Sequence, residues 1–141
     1  MDNDLNKIES NPEALAYIGE QYKAQYELVV RQVDRLITEL NSIKSIKETV
    51  KSIDTLKDYD KAILMPIDNK IMINIKIVDN KILYNLGSGY FIEMNKEDLL
   101  KKLEEDEKDV KSSIEKLSKS KKELEEALSY IDLKLRQLVN K

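Results

Sequence analysis

The sequence has no cysteine, no histidine and no tryptophan, and it contains only three glycines, two prolines and one phenylalanine. Without Cys and His the chain lacks thiol nucleophiles, disulfides, Cys/His zinc sites and the side chain whose ordinary pKa lies near neutrality. With 6% aromatic residues it also lacks the bulky side chains that usually fill the centre of a compact enzyme. We therefore expect no enzyme activity, no metal and no cofactor.

The chain also lacks a strong excess of charge and any long hydrophobic run. Its net charge is −3, and Lys and Glu are interspersed, so no contiguous basic face of the kind that neutralises phosphates is present. No apolar run approaches the roughly 20 residues needed to span a bilayer, and the first residues have no basic or apolar region typical of a signal peptide. We expect no nucleic-acid partner, no membrane partner and a cytoplasmic location.

The sequence does contain long amphipathic segments typical of helices, and 36% of its 141 residues are charged and 41% are hydrophobic. Asn11-Pro12 predicts a helix start, with Asn11 as the cap and Pro12 at the first helical position. The predicted first arm covers residues 1–58. Its heptad seam consists of Leu15, Tyr22, Val29, Leu36, Ile43 and Val50, with Tyr26, Val33 and Leu40 between them.

Near its end the first arm changes phase. After Ile43 the apolar residues are Ile46, Val50, Ile53 and Leu56, and this spacing predicts a rotation of the buried stripe. We expect this part of the helix to meet a different partner.

The predicted second arm covers residues 95–141, with Asn95 as the cap and two acidic residues in the first turn. Its seam consists of Leu103, Val110, Ile114, Leu117, Leu124, Leu128, Ile131, Leu135 and Leu138. Glu107 and Lys121 occupy seam positions where an apolar residue would normally lie. Such polar residues either fix the register of the pairing or mark a solvated face, and the sequence leaves both interpretations open.

The segment between the arms, residues 59–94, is rich in β-branched residues. Two turn-forming clusters, at 68–70 and 79–81, divide it into short strands and predict two β-hairpins. Ile71, Ile73, Ile75 and Ile77 alternate with more polar residues, which predicts one strongly apolar face. Because such short strands cannot cover this face, we interpret the segment as an oligomerisation module.

Gly87-Ser88-Gly89 has two competing interpretations. A constrained turn with positive φ at the glycines is favoured, because the strand-turn-strand context lacks the helix N-terminus of a phosphate-binding loop. Pro66 is predicted at an edge or a position that needs no backbone donor. Since the two arms have nearly equal length, the sequence predicts an α+β fold: a long antiparallel coiled-coil hairpin whose helices are joined by two β-hairpins, with both termini together.

The order helix, two β-hairpins, helix, with Leu64-Met65-Pro66-Ile67 and Leu86-Gly87-Ser88-Gly89-Tyr90-Phe91-Ile92-Glu93 as its most specific parts, resembles the α-class subunits of prefoldin, an archaeal and eukaryotic co-chaperone. The resemblance covers nearly the whole chain. Asp68 departs from the family pattern, in which Gly often follows the Pro-Ile pair, so the first turn is expected to differ in type.

The resemblance implies a hexamer of two α-class and four β-class prefoldin subunits whose hairpins form an oligomeric β-barrel platform. It also implies an ATP-independent holdase that binds unfolded proteins at the tips of its coiled coils and transfers them to a group II chaperonin. The alternative is a structural prefoldin-like coiled-coil protein that forms homo-oligomers or filaments. Assembly is expected to involve the hairpin residues Leu64, Pro66, Ile67, Ile71, Ile73, Ile75, Ile77, Leu86, Gly87, Gly89, Tyr90 and Phe91.

Client binding is expected at apolar residues near the two termini. The candidates are Leu5, Ile8, Leu15, Tyr17, Ile18, Ile131, Leu133, Leu135, Leu138 and Val139. Packing that closes the helix pair is the competing role for these side chains. Seam position favours closure for Leu15, Ile131 and Leu135, and client contact for Leu5, Ile8 and Val139.

Overall fold

The chain folds into two long helices joined by two small antiparallel sheets. The computed structural model describes residues 10–57, 63–79 and 81–140. Helix α1 spans Pro12–Lys57 and helix α2 spans Lys96–Val139, and between them lie β1 Ile63–Asp68, β2 Ile71–Ile75, β3 Ile82–Gly87 and β4 Tyr90–Met94. This order confirms the predicted α+β architecture, whereas the β-barrel needs several chains and stays a prediction.

The chain divides into two compact units. The first, here called the end unit, comprises Met1–Leu40 and Val110–Lys141, and the second, called the hairpin unit, comprises Asn41–Asp109. In the end unit Gly19 lies against Ile131, and Tyr26 bonds to Glu125, so the two helix segments run antiparallel. In the hairpin unit Lys47 meets Glu107, and Asp54 meets Lys96, in the same antiparallel sense.

Each helix begins at the asparagine predicted to cap it. The side-chain oxygen of Asn11 accepts hydrogen bonds from the backbone N–H groups of Glu13 and Ala14, at 3.1 and 3.3 Å. The side-chain oxygen of Asn95 accepts one from the N–H of Asp98 at 2.8 Å. These bonds satisfy backbone donors that have no partner within the helix.

The predicted heptad seam forms the core. All nine seam residues predicted for α1 and all nine for α2 are buried or half-buried. The most buried side chains are Leu15, Ile43, Val50, Leu99, Leu103, Val110, Leu124 and Ile131. Leu99, which the sequence pattern did not include, extends the seam of α2 by one turn toward the sheets.

The predicted phase change is wrong at Ile46, and the side chain of Leu56 lies outside the described residues. Ile46 is 48% exposed, and Lys47 occupies the half-buried position instead. The heptad that contains Tyr26, Val33 and Leu40 therefore continues through Lys47, while Val50 continues the other heptad and Ile53 is half-buried. The pattern failed here because a lysine at a seam position does not register as part of an apolar repeat.

The first hairpin pairs β1 with β2. Ile63 lies opposite Ile75, Met65 opposite Ile73, and Pro66 opposite Met72, and the register shifts after Pro66. The strand that contains the predicted Ile row is shorter than the alternating pattern indicated. It ends at Ile75, and Ile77 lies beyond it as a half-buried residue.

The second hairpin pairs β3 with β4 through a tight turn. Gly87, Ser88 and Gly89 have φ of 101°, 54° and 80°, which confirms the constrained turn predicted for the glycines. The side chain of Asn85 accepts a hydrogen bond from the Gly87 N–H at 2.8 Å and closes the turn. This turn joins two antiparallel strands, and in the described chain it does not precede a helix, so the geometry favours the structural role over the phosphate loop.

Candidate functional site

The first candidate site is an uncovered apolar surface on the two hairpins. Its exposed members, called the hairpin surface, are Leu64, Met65, Ile67, Ile71, Met72, Ile73, Leu83, Leu86, Tyr90, Phe91 and Ile92. Because partner residues across an antiparallel ladder share a face, Met65 and Ile73 lie on one face of the first hairpin and Pro66 and Met72 on the other. Both faces of the first hairpin therefore carry exposed apolar side chains, as is typical of a surface that another chain covers.

The predicted assembly residues fall mostly on this surface. Leu64, Pro66, Ile67, Ile71, Ile73, Leu86, Gly87, Gly89, Tyr90 and Phe91 are exposed, whereas Ile75 and Ile77 are half-buried within the single chain. This exposure is what an assembly role of these residues requires.

One face of the second hairpin is partly covered within the chain. Ile82, Tyr84 and Met94 are half-buried, and the ammonium of Lys102 on α2 lies 5.5 Å from the centre of the Tyr84 ring. The Nζ of Lys96 bonds at 3.0 Å both to the Lys51 carbonyl and to a carboxylate oxygen of Asp54. These cationic contacts connect α2 with the second hairpin and with the end of α1, a positioning role that the sequence pattern did not reveal.

The second candidate site lies at the terminal part of the end unit. Tyr17, Leu133 and Val139 are 67%, 54% and 78% exposed there. An open groove of about 700 Å³ runs along the end of α2, lined by Ser10, Leu133, Lys134, Arg136, Gln137, Leu138 and Asn140. We call Tyr17, Leu133 and Val139 the end surface.

The structure divides the predicted client-binding residues into two groups. Leu15 and Ile131 are fully buried between the helices, and Ile18, Leu135 and Leu138 are half-buried. This burial favours closure of the helix pair as the role of Leu15 and Ile131. Leu5 and Ile8 lie outside the described residues.

A polar pair lies inside the seam of the hairpin unit. The Nζ of Lys47 is 2.8 Å from Oε2 of Glu107, and the two side chains are only 17% and 13% exposed. The hydrogen bond to Glu107 is the main reason that the pKa of Lys47 is raised, and it outweighs the opposing effect of desolvation. Glu107, one of the two polar seam positions in α2, is therefore paired across the helices, whereas Lys121 is half-buried and has no ion pair within the described chain.

A second bond connects the helices in the end unit. The phenol of Tyr26 donates to Oε1 of Glu125 at 3.1 Å. This hydrogen bond to a carboxylate is the main cause that raises the pKa of Tyr26, and burial and the negative charge of Glu125 add to it.

The described residues contain neither a metal site nor a membrane span. Within 10–57, 63–79 and 81–140, no group of three or more His, Cys, Asp and Glu side chains is arranged to hold a metal ion. Neither described helix has a stretch apolar enough to cross a membrane.

Comparison with known proteins identifies the family. Residues 22–141 match the family model described as prefoldin subunit. The chain belongs to the prefoldin family. Prefoldin subunits alpha from Pyrococcus horikoshii and Thermococcus onnurineus are similar to it. The first is 25% identical over 130 residues, covering 92% of this chain and 88% of the relative, and the second is 29% identical over 89 residues, covering 62% and 60%.

The fold agrees with this membership. A chain of the filamentous PFD from Methanocaldococcus jannaschii, solved by cryo-EM, superposes with a TM-score of 0.53 at 24% identity, covering 86% of this chain and 94% of that one. Prefoldin subunit alpha 1 of the same organism is 29% identical over 100 residues, 69% of this chain and 66% of the relative. These archaeal relatives make the chain an α-type prefoldin subunit, and as a prefoldin it is a co-chaperone subunit.

Proposed function

We propose that this prefoldin subunit is part of an ATP-independent holdase that binds unfolded proteins at the helix ends and transfers them to a group II chaperonin. Its assembly partners are β-type subunits, in a hexamer of two α and four β chains, and its expected location is the cytoplasm. The supporting observation is the end surface: Tyr17, Leu133 and Val139 remain exposed although Leu15 and Ile131 are buried, and Leu133 also lines the groove.

The chemistry of the groove suits clients of no fixed shape. Apolar side chains provide contact area without directional requirements, and the cations Lys134 and Arg136 border them. Arg136 is itself held by Asp132 at 3.1 Å, and Lys134 lies 5.6 Å from the centre of the Tyr130 ring. Each end binds weakly by itself, and several ends in one assembly reach useful avidity through effective concentration.

A matched pair of variants tests this proposal. The end variant is Tyr17→Gln, Leu133→Gln and Val139→Gln. The control is Leu28→Gln, Ile37→Gln and Ile46→Gln, which changes three exposed apolar residues elsewhere on α1. Each variant is mixed with a β-type subunit, and aggregation of heat-denatured citrate synthase is followed by light scattering. We expect the end variant to lose most of the suppression while the control retains it, because only the end variant removes apolar area at the helix ends.

Assembly and transfer are measured on the same samples. The mass of the complex must remain unchanged in both variants, so that lost suppression reports client contact rather than failed assembly. Release of the bound client to a group II chaperonin is followed as an increase in refolded enzyme. Full suppression by the end variant would contradict the assignment of the end surface.

A structural, filament-forming role is the second candidate. It is favoured by the exposed apolar side chains on both faces of the first hairpin and by the filamentous state named for the PFD of Methanocaldococcus jannaschii. The mass distribution of the purified chain alone separates the two candidates. A long series of oligomers supports the structural role, whereas a small species that forms one discrete complex with a β-type subunit supports the holdase.

A further inference from the structure

The pair formed by Lys47 and Glu107 lies at two positions that a coiled coil normally fills with apolar side chains. Lys47 continues the heptad that contains Tyr26, Val33 and Leu40, and Glu107 belongs to the heptad of α2 that continues through Ile114. Both side chains are mostly buried, and their charged atoms meet at 2.8 Å.

Stability alone does not explain such a pair. Two charges taken out of water lose hydration, and replacing a buried ion pair by apolar residues of similar size is often neutral or stabilising. Polar residues at seam positions are better known for fixing the register of a helix pair. Such a residue meets a polar partner in one register and apolar residues in others.

The neighbouring residues show what a wrong register would do. If α2 moved by one heptad in one direction, Lys47 would face Ile114, and Glu107 would face Asp54, a residue of like charge. If it moved by one heptad in the other direction, Lys47 would face Leu100 and Glu107 would face Leu40. The first slip places Glu107 against a like charge and Lys47 against an apolar side chain, and the second places both charges against apolar side chains. Each arrangement is costly at mostly buried positions.

A second polar residue in the seam provides the contrast. Lys121 lies in the same heptad as Glu107, two repeats later, and it makes no ion pair within the described chain. A lysine can extend its ammonium to solvent along the helix surface in more than one register. Lys121 therefore lacks the complementary partner that would distinguish one register from another.

We propose that Lys47 and Glu107 select the register in which α1 pairs with α2, at some cost in stability relative to an apolar seam. The same pair opposes parallel pairing of α1 with α1, or of α2 with α2, of a second copy, since identical charges would then meet. A slip of one heptad would displace one helix end relative to the other by about 10 Å, at about 1.5 Å per residue. The register thus determines which side chains lie together at the helix ends.

The absence of cysteine from the whole chain allows a direct test, because every disulfide then arises from an introduced pair. Tyr26→Cys with Glu125→Cys reports the observed register, since these side chains touch. Tyr26→Cys with Ser118→Cys, and Tyr26→Cys with Asp132→Cys, report slips of one heptad in the two directions. Disulfides are quantified by mass spectrometry, which also separates bonds within a chain from bonds between chains.

The decisive variant replaces both members of the pair, Lys47→Leu with Glu107→Leu, and the control is Lys121→Leu. We expect the double variant to melt at a higher temperature than the wild-type chain and to increase the slipped or intermolecular disulfides severalfold. We expect the control to raise the melting temperature without such an increase, because it removes a seam charge but no pair.

Two results would overturn the proposal: a double variant that retains only the observed register, or a Lys121→Leu control that slips to the same extent. If the double variant aggregates, two charge-reversed variants test the proposal in its place. Lys47→Glu alone should lose the observed register, and Lys47→Glu with Glu107→Lys should recover most of it, although Glu104 also acts on position 47 and limits the recovery. Equal disulfide yields from these two variants would contradict the proposal.

Discussion

At the scale of single residues, two contacts between the helices of this prefoldin subunit are made by donors whose pKa is raised, Tyr26 and Lys47. Hydrogen bonds to carboxylates raise the pKa of both Tyr26 and Lys47. The chain has no histidine, so no side chain has an ordinary pKa near neutrality. These contacts should therefore be insensitive to pH in the physiological range and sensitive in alkali.

The direction of the alkaline effect follows from proton linkage. A group whose pKa is higher in the folded chain binds its proton more tightly there. Its contribution to the free energy of unfolding is complete below the pKa of the unfolded chain, 10.0 for tyrosine. This contribution is lost as the pH rises through the pKa of the folded chain. We expect the melting temperature to fall above about pH 10, and Tyr26→Phe to make this fall less steep. The melting temperature measured against pH checks this, with Tyr17→Phe as a control that removes an exposed phenol instead. Equal slopes for Tyr26→Phe and the wild-type chain would show that the bond to Glu125 does not contribute.

At the scale of elements, the turn of the second hairpin is the segment most restricted in the residues it accepts. Gly87 and Gly89 have positive φ, and Ser88 between them shares this left-handed conformation. A Cβ added at either glycine would touch no atom within 4 Å, so a substitution there acts through backbone strain rather than through a clash. Gly19, in α1, lies in ordinary helical surroundings, where its Cβ would meet Ile131 at 3.4 Å.

Alanine at these glycines should therefore have opposite effects. Gly87→Ala is expected to destabilise the second hairpin by about 1–2 kcal/mol, the usual cost of a left-handed residue with a side chain. Gly19→Ala is expected to be neutral or to stabilise α1 by up to about 1 kcal/mol, the helix preference of Ala over Gly. Amide hydrogen exchange of β3, β4 and α1 measures both effects. Unchanged exchange in β3 and β4 of Gly87→Ala would contradict the argument from strain.

The elements also show what could be predicted from the sequence and what could not. The helices, their asparagine caps and most of the seam were predictable, because spacing and capping are local properties. The seam position of Lys47 was not predictable, because a lysine does not extend an apolar repeat and the sequence does not show which residue of the other helix lies opposite it. The exposure of Ile46 and the burial of Leu99 were not predictable for the same reason, because both depend on which residues of the partner helix lie opposite.

At the scale of the whole molecule, the end surface and the hairpin surface belong to different units of the chain. The hairpin surface has apolar side chains on both faces of the first hairpin, and a hairpin of two strands is marginal in water without further cover. We interpret it as the surface that other subunits cover, and we propose client contact only for the end unit.

Variants of the hairpin surface test that division. Ile71→Thr with Ile73→Thr keeps β-branched residues in β2 but removes apolar area, and Ile37→Gln with Ile46→Gln is the control on exposed positions of α1. We expect only the β2 variant to reduce the mass of the complex with a β-type subunit, as measured by analytical ultracentrifugation. Helix content, followed by circular dichroism, should be the same for both. A complex of full mass from the β2 variant would contradict the assembly role.

The open hairpins also affect how the amount of the chain must be regulated. When a partner covers a surface only in the folded state, the folded chain is stabilised by mass action, and its apparent stability rises with the partner's concentration. A subunit made in excess keeps its apolar strands and unpaired strand edges exposed, and these are sites for aggregation and for proteolysis. Matched synthesis of the subunits would therefore protect this chain as effectively as any stabilising substitution within it.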